Sequence, residues 1–185
     1  SSGSDSWLQI GNDIDGEAAG DESGSSVALS SDGSIVAIGA KKNDGNGENS
    51  GHVRIYQNDN GNWIQIGSDI NGEGADDSFG SSVALSSDGS IITIGAPTKG
   101  SYMNWSGHVK IYQNIGGNWT QIANDIEGEG TDDRSGTSVA LSDDGSIVAI
   151  GAHLNNGNGD SSGHVRIYKV TSGIFQNLSE NTTEV

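Results

Sequence analysis

The chain has 185 residues, of which 30 are glycine, one is proline and none is cysteine, and its formal net charge is −17. That excess of carboxylates excludes nucleic acid and anionic lipid as partners, since both are held by counterion release to Lys and Arg and only 8 of those are present. No stretch approaches the roughly 20 apolar residues a membrane helix needs, which excludes membrane insertion by helices, and the absence of cysteine leaves the compartment open.

In chain order, residues 1–6 (SSGSDS) read as a flexible lead with neither an initiator Met nor a signal peptide, as in a processed chain or a segment of one. Trp7 to Ile10 (WLQI) reads as a first strand, followed by an acidic connection with Asp13, Glu17 and Asp21. Ser26 to Ser30 (SVALS) and Ile35 to Ile38 (IVAI) are short apolar runs across Asp32-Gly33, a dipeptide that predicts a tight hairpin with positive φ angles. His52 to Tyr56 (HVRIY) and Trp63 to Ile66 (WIQI) mix polar and apolar residues as half-exposed strands do, with an Asn60-Gly61 turn between them.

The same phrase then recurs without an insertion. Trp7, Trp63 and Trp119 are 56 residues apart, and so are Gly24, Gly80 and Gly136. The units are 7–62, 63–118 and 119–174, inside a repeat domain spanning 7–178 with a tail at 179–185. Phe175 stands where a fourth Trp would, and the match fades after Leu178. With glycine on nearly every connection and no helical periodicity, the fold class is all-β: three tandem four-stranded antiparallel propeller-like blades plus one surplus terminal strand.

These residues resemble the FG-GAP repeats of integrin-type β-propellers, and especially the bacterial and algal variety with W-x-Q-[IL]-G-x-D-I-x-G-E followed by S-G-H-V-R-[IV]-Y. Phe79-Gly80 and Gly95-Ala96-Pro97 are literal in the middle unit; the outer units have Ser23-Gly24 with Gly39-Ala40-Lys41, and Ser135-Gly136 with Gly151-Ala152-His153. The resemblance implies that each unit is a blade with SVALS at the axis and WIQI at the rim. Two departures matter. The Asp-x-Asp-x-Asp-Gly calcium loop between the first two strands is replaced by Ser30-Ser31-Asp32-Gly33-Ser34, and three blades are fewer than a closed propeller uses. One carboxylate cannot cage calcium.

The calcium candidates are instead in the loop before the third strand: Asp44, Asn46 and Glu48 in the first unit, and Asn156, Asn158 and Asp160 in the third. Oxygen-bearing side chains alternating with glycine can wrap a hard cation, although mobile turns have the same composition. The acidic sets Asp13, Glu17, Asp21, then Asp69, Glu73, Asp77, then Asp125, Glu129, Asp133 recur in every unit, which points to a structural task rather than glycosidase chemistry. The recurrence of His52, His108 and His164 points to a hydrogen-bonding role within each blade rather than a zinc site. No nucleophile with its base is visible, so the chain reads as a non-enzyme. Asn104, Asn118, Asn177 and Asn181 begin N-glycosylation sequons, and Tyr102, Met103 and Trp105 break an otherwise polar loop where aromatics stack on sugars or pack locally.

Three blades need twelve strands, and the chain supplies thirteen. The surplus falls at its ends, where Trp7, Leu8, Ile10, Phe175 and Leu178 are the expected assembly residues, since an unpaired edge templates a strand from another chain. The function read from sequence is an extracellular or cell-surface structural protein that self-assembles into a ring or filament. The alternative is a calcium-dependent adhesion or carbohydrate-binding module cut from a longer propeller, with glycans or cell-surface proteins as partners.

Overall fold

The structure is a computed structural model, and it describes residues 6–99 and 104–170. Every regular element among them is a strand. Blade 1 holds β1 (Ser23–Leu29), β2 (Ile35–Ala40), β3 (His52–Asp59), β4 (Asn62–Gln65) and the two-residue β5 (Ile70–Asn71). Blade 2 holds β6 (Ser82–Leu85), β7 (Ile91–Ala96), β8 (His108–Ile115), β9 (Asn118–Gln121) and β10 (Ile126–Glu127). Blade 3 holds β11 (Ser138–Leu141), β12 (Ile147–Ala152) and β13 (His164–Lys169). In each sheet the strands pair antiparallel in chain order, and β5 and β10 pair with the starts of β3 and β8. The registers repeat with the sequence: Val27 faces Ile38, Val83 faces Ile94 and Val139 faces Ile150.

The turns follow from local chemistry. Asn60 and Gly61 both have positive φ (53° and 89°), which gives the β3–β4 hairpin the twist its strands require. The β1–β2 connection works differently from the expected Asp-Gly turn, because only Gly33 has positive φ. Asp32 is instead an acceptor hub: its Oδ1 takes the Ser34 N–H at 2.9 Å and the Ser30 and Ser34 hydroxyls at 2.7 and 2.8 Å. The Ser34 N–H, followed by the two hydroxyls, lowers the Asp32 carboxyl to about 2.

The core lies between blades. Val53, Ile55 and Ala37 of blade 1 meet Val83, Ile92 and Ile94 of blade 2, with Phe79 filling the space among them. Val109 and Ile111 meet Val148 and Ile150 in the same way one junction later. Axial strands β1 and β6, and β6 and β11, lie against each other. At this line the backbones nearly touch. A Cβ on Gly39 would lie 2.1 Å from the Gly80 carbonyl oxygen, and one on Gly95 would lie 2.1 Å from that of Gly136. Ser26 and Ser82 hydroxyls donate to the same two carbonyls at 2.7 Å. At the rim, Trp63 Nε1 donates to the Ile10 carbonyl and Trp119 Nε1 to that of Ile66, both at 2.9 Å.

Residues 7–10 therefore sit where a rim strand sits, held by Trp63, yet they form no strand, because among the described residues no sheet precedes them to supply a partner. Trp7 and Leu8 are exposed. Phe175 and Leu178 lie outside the described residues.

The glycine contact makes a prediction with an internal control. Gly95→Ala drives a methyl into the Gly136 backbone and should lower unfolding stability by about 1–3 kcal/mol. Gly151→Ala, the in-register position with no following blade among the described residues, crowds only the Ser138 hydroxyl, which can rotate away. Urea unfolding of the two variants at low protein concentration should separate them clearly; equal losses would mean that blade contact is not what requires glycine.

Candidate functional site

The recurring acidic residues join into clamps at the start of each third strand. Arg54 on β3 reaches Glu17 in the connection entering blade 1, and its Nε donates at 3.0 Å to Asp69 in the connection leaving it. Lys110 takes the same place on β8, contacting Glu73 and lying 3.4 Å from Asp125, while Lys99 also contacts Glu73. Arg166 and Glu129 pair at 2.9 Å in blade 3. Hydrogen bonds from Lys110 and then Lys99 hold the Glu73 carboxyl at about 2. The third acidic residue closes its own loop: Asp21, Asp77 and Asp133 accept the N–H of Ala18, Gly74 and Gly130, and Asp21 and Asp133 also accept the buried amides of Asn43 and Asn155. The structural reading of these carboxylates is the one the geometry supports.

The histidines differ from expectation. His108 is 1% exposed, and neither ring nitrogen has a hydrogen-bond partner. His52 Nδ1 lies 3.8 and 3.9 Å from Glu17 and Asp69, beyond hydrogen-bonding range. Each belongs to a group of three potential metal ligands, Glu17 with His52 and Asp69, and Glu73 with His108 and Asp125, whose ligand atoms lie within 4.8 Å of one another. Arg54 already bridges both carboxylates of the first group and Lys110 both of the second, so the imidazole is left as a packed neutral ring. Sequence reasoning rated the repeated histidines as hydrogen-bonders because repetition shows a structural role without showing which one.

Two of the predicted calcium residues close their own loops. Asp44 Oδ1 accepts the Asn49 N–H at 2.8 Å and Asn156 Oδ1 accepts that of Ser161 at 2.7 Å. The Asn46 amide donates to the carbonyls of Gly72 and Glu73 at 2.8 and 3.2 Å, tying the loop to the next connection. Glu48, Asn158 and Asp160 are exposed. Of the sequon residues, Asn104 is exposed in a loop and Asn118 is exposed at the start of β9; Asn177 and Asn181, like Tyr102 and Met103, lie outside the described residues.

A pH dependence follows from His108. Burial, followed by the Lys99 charge, lowers its imidazole from 6.5 to about 4. Between those values the unfolded chain takes up a proton that the folded chain refuses, so this contribution is complete above pH 6.5 and is lost as the pH falls towards about 4. The limb has a slope of at most about 1.4 kcal/mol per pH unit. Stability measured against pH should lose that limb in His108→Gln; an unchanged slope would place the proton uptake elsewhere.

The model of the FG-GAP repeat matches residues 14–56 and 119–168, together half of the chain. No curated protein matches. Among solved structures, the chain is similar to hydrazine synthase from Kuenenia stuttgartiensis at 14% identity and TM-score 0.49, over 78% of this chain and 33% of that one. It is similar to the periplasmic gluconolactonase of Pseudomonas aeruginosa at 17% identity and TM-score 0.48, over 79% of this chain and 39% of that one. The chain thus spans about a third of the first protein and about two fifths of the second. With blades in register, glycines in contact across them and the repeat model on both outer units, the chain belongs to the FG-GAP repeat family.

Proposed function

We propose that this chain is a non-enzymatic structural protein of the cell exterior that continues its stack of blades into a second copy, head to tail. The observation that carries this reading is the contrast between inner and end faces. Val53 and Val109 are 0% exposed where they meet the following blade, whereas Val165 and Ile167, in register with Val53 and Ile55, are 67% and 71% exposed. On the opposite side Val83 is 9% exposed against the preceding blade, whereas its counterpart Val27 is 64% and Leu29 is 60% exposed. Gly80 and Gly136 lie against the glycines of the preceding blade, but nothing comes within 4 Å of a Cβ placed on Gly24.

The two ends are thus the two halves of the interface already made twice inside the chain. Their complementarity commits the occupant to another copy of the repeat. Such a contact is heterologous: it makes a ring if the rotation closes and a filament if it does not. Burying each of these Val, Leu or Ile side chains is worth about 1.5–3 kcal/mol. FG-GAP repeats are typical of extracellular proteins, which supports the location. The repeated acids, neutralised by Arg and Lys or closing turns, supply no catalytic pair and support the non-enzymatic reading.

Two like charges of −17 oppose assembly, and salt screens them. Sedimentation of the 185-residue chain between about 1 and about 100 µM should show mass rising with concentration, and rising further between about 0.02 and about 0.3 M salt. Gly151→Ala should weaken association at least about tenfold, because its methyl blocks the carbonyl that Gly24 of the next copy would bring. A chain that stays monomeric throughout overturns the proposal.

A further inference from the structure

In a chain of near-identical repeats, residues with a structural task recur, so those that break the repeat point to other tasks. Lys41 and Lys42 have Pro97 and Thr98, then His153 and Leu154, as counterparts; Trp105 has Asn49 and Ser161; Arg134 has Glu22 and Ser78. Lys41, Lys42 and Trp105 line one cleft of about 370 Å³ where the loops of blades 1 and 2 meet, together with Asn49, Asp76 and Thr98. That volume falls within the range of small-molecule sites.

The wall is held in place. Arg134 donates its backbone N–H to the Trp105 carbonyl at 3.1 Å, and its guanidinium lies 4.8 Å from the indole centroid. Asn49 donates to Asp76 Oδ1 at 3.2 Å, and the Thr98 hydroxyl donates to the Asp76 carbonyl at 2.6 Å. Lys41 pairs with Glu22 at 3.1 Å, and Lys42 contacts the same carboxylate, so two ammonium groups share one acid. Four of the 8 basic residues, Arg54, Lys99, Lys110 and Arg166, are committed to the clamps; of the remaining four, Lys41, Lys42 and Arg134 converge here on a chain of net charge −17.

We propose that this cleft binds a carboxylated sugar unit. The flat apolar indole of Trp105 receives the ring, Asn49 and the open oxygen of Asp76 meet its hydroxyls, and the lysine pair meets its carboxylate. The site is complete within one chain and does not rest on assembly.

The test uses the 185-residue chain made in bacteria, so that Asn104 carries no glycan, with trigalacturonate as the acidic probe and maltotriose as the neutral one. Titration followed by Trp fluorescence and by the shift of the indole N–H signals should show trigalacturonate binding at least about tenfold more tightly than maltotriose, and weakening with salt. Trp105→Ala, and separately Lys41→Ala with Lys42→Ala, should each cost at least about tenfold, the lysine pair being exposed enough to replace without disturbing the fold. Leu29→Glu, on the assembly face, should bind as the parent does. Equal affinity for the two sugars, equal binding by the lysine variant, or no response at millimolar trigalacturonate overturns the proposal.

Discussion

The structure depends on one contact, made twice: the glycine that ends the second strand of a blade against the glycine that precedes the first strand of the next. With Gly39 on Gly80 and Gly95 on Gly136, two backbones approach to a distance at which a single methyl has no room. Only then do the apolar faces on either side close, Val53 and Ile55 on Val83, and Val109 and Ile111 on Val148. The FG and GAP motifs are in this sense one motif, split between neighbouring blades. Serine completes the joint, since Ser26 and Ser82 hydrogen-bond the carbonyl that the missing side chain leaves reachable.

Because the contact is directional, a stack of such blades always ends in one face of each kind. Sequence identity between units makes the end faces complementary, and the exposure of Val27, Leu29, Val165 and Ile167 is its direct result. The clamps of Arg54, Lys110 and Arg166 act within blades and leave the end faces apolar rather than charged. In the proposed assembly net charge would oppose a contact that shape and apolar area favour, so association would be sensitive to ionic strength.

Much of the fold was legible because the same residues occur three times in register. The Asn60-Gly61 hairpin, the antiparallel order and the blade boundaries follow from pattern alone. The two-residue strands Ile70–Asn71 and Ile126–Glu127 do not, since their pairing with β3 and β8 is long-range and too short for any periodicity. Asp32 looked like half of a positive-φ turn and acts through its carboxylate, a choice between backbone and side-chain solutions that composition does not record. His108 shows the same limit: its lack of partners is a property of burial between strands brought together by pairing, with Ala96 on β7 and Glu127 on β10 opposite it. Trp7 to Ile10 has the composition of a strand and the position of one, but among the described residues no sheet precedes it to pair with, so composition alone does not make it a strand.

Head-to-tail blade stacking is tested most directly by mixing two half-blocked copies. Leu29→Glu spoils one end face and Ile167→Glu the other, both at positions already open to water in the single chain. Each variant alone should fail to propagate, and an equimolar mixture should give a 1:1 dimer joined through the two intact faces, read as a single species of twice the chain's mass. A mixture that remains monomeric, or a single variant that still builds large assemblies on its own, would contradict the account.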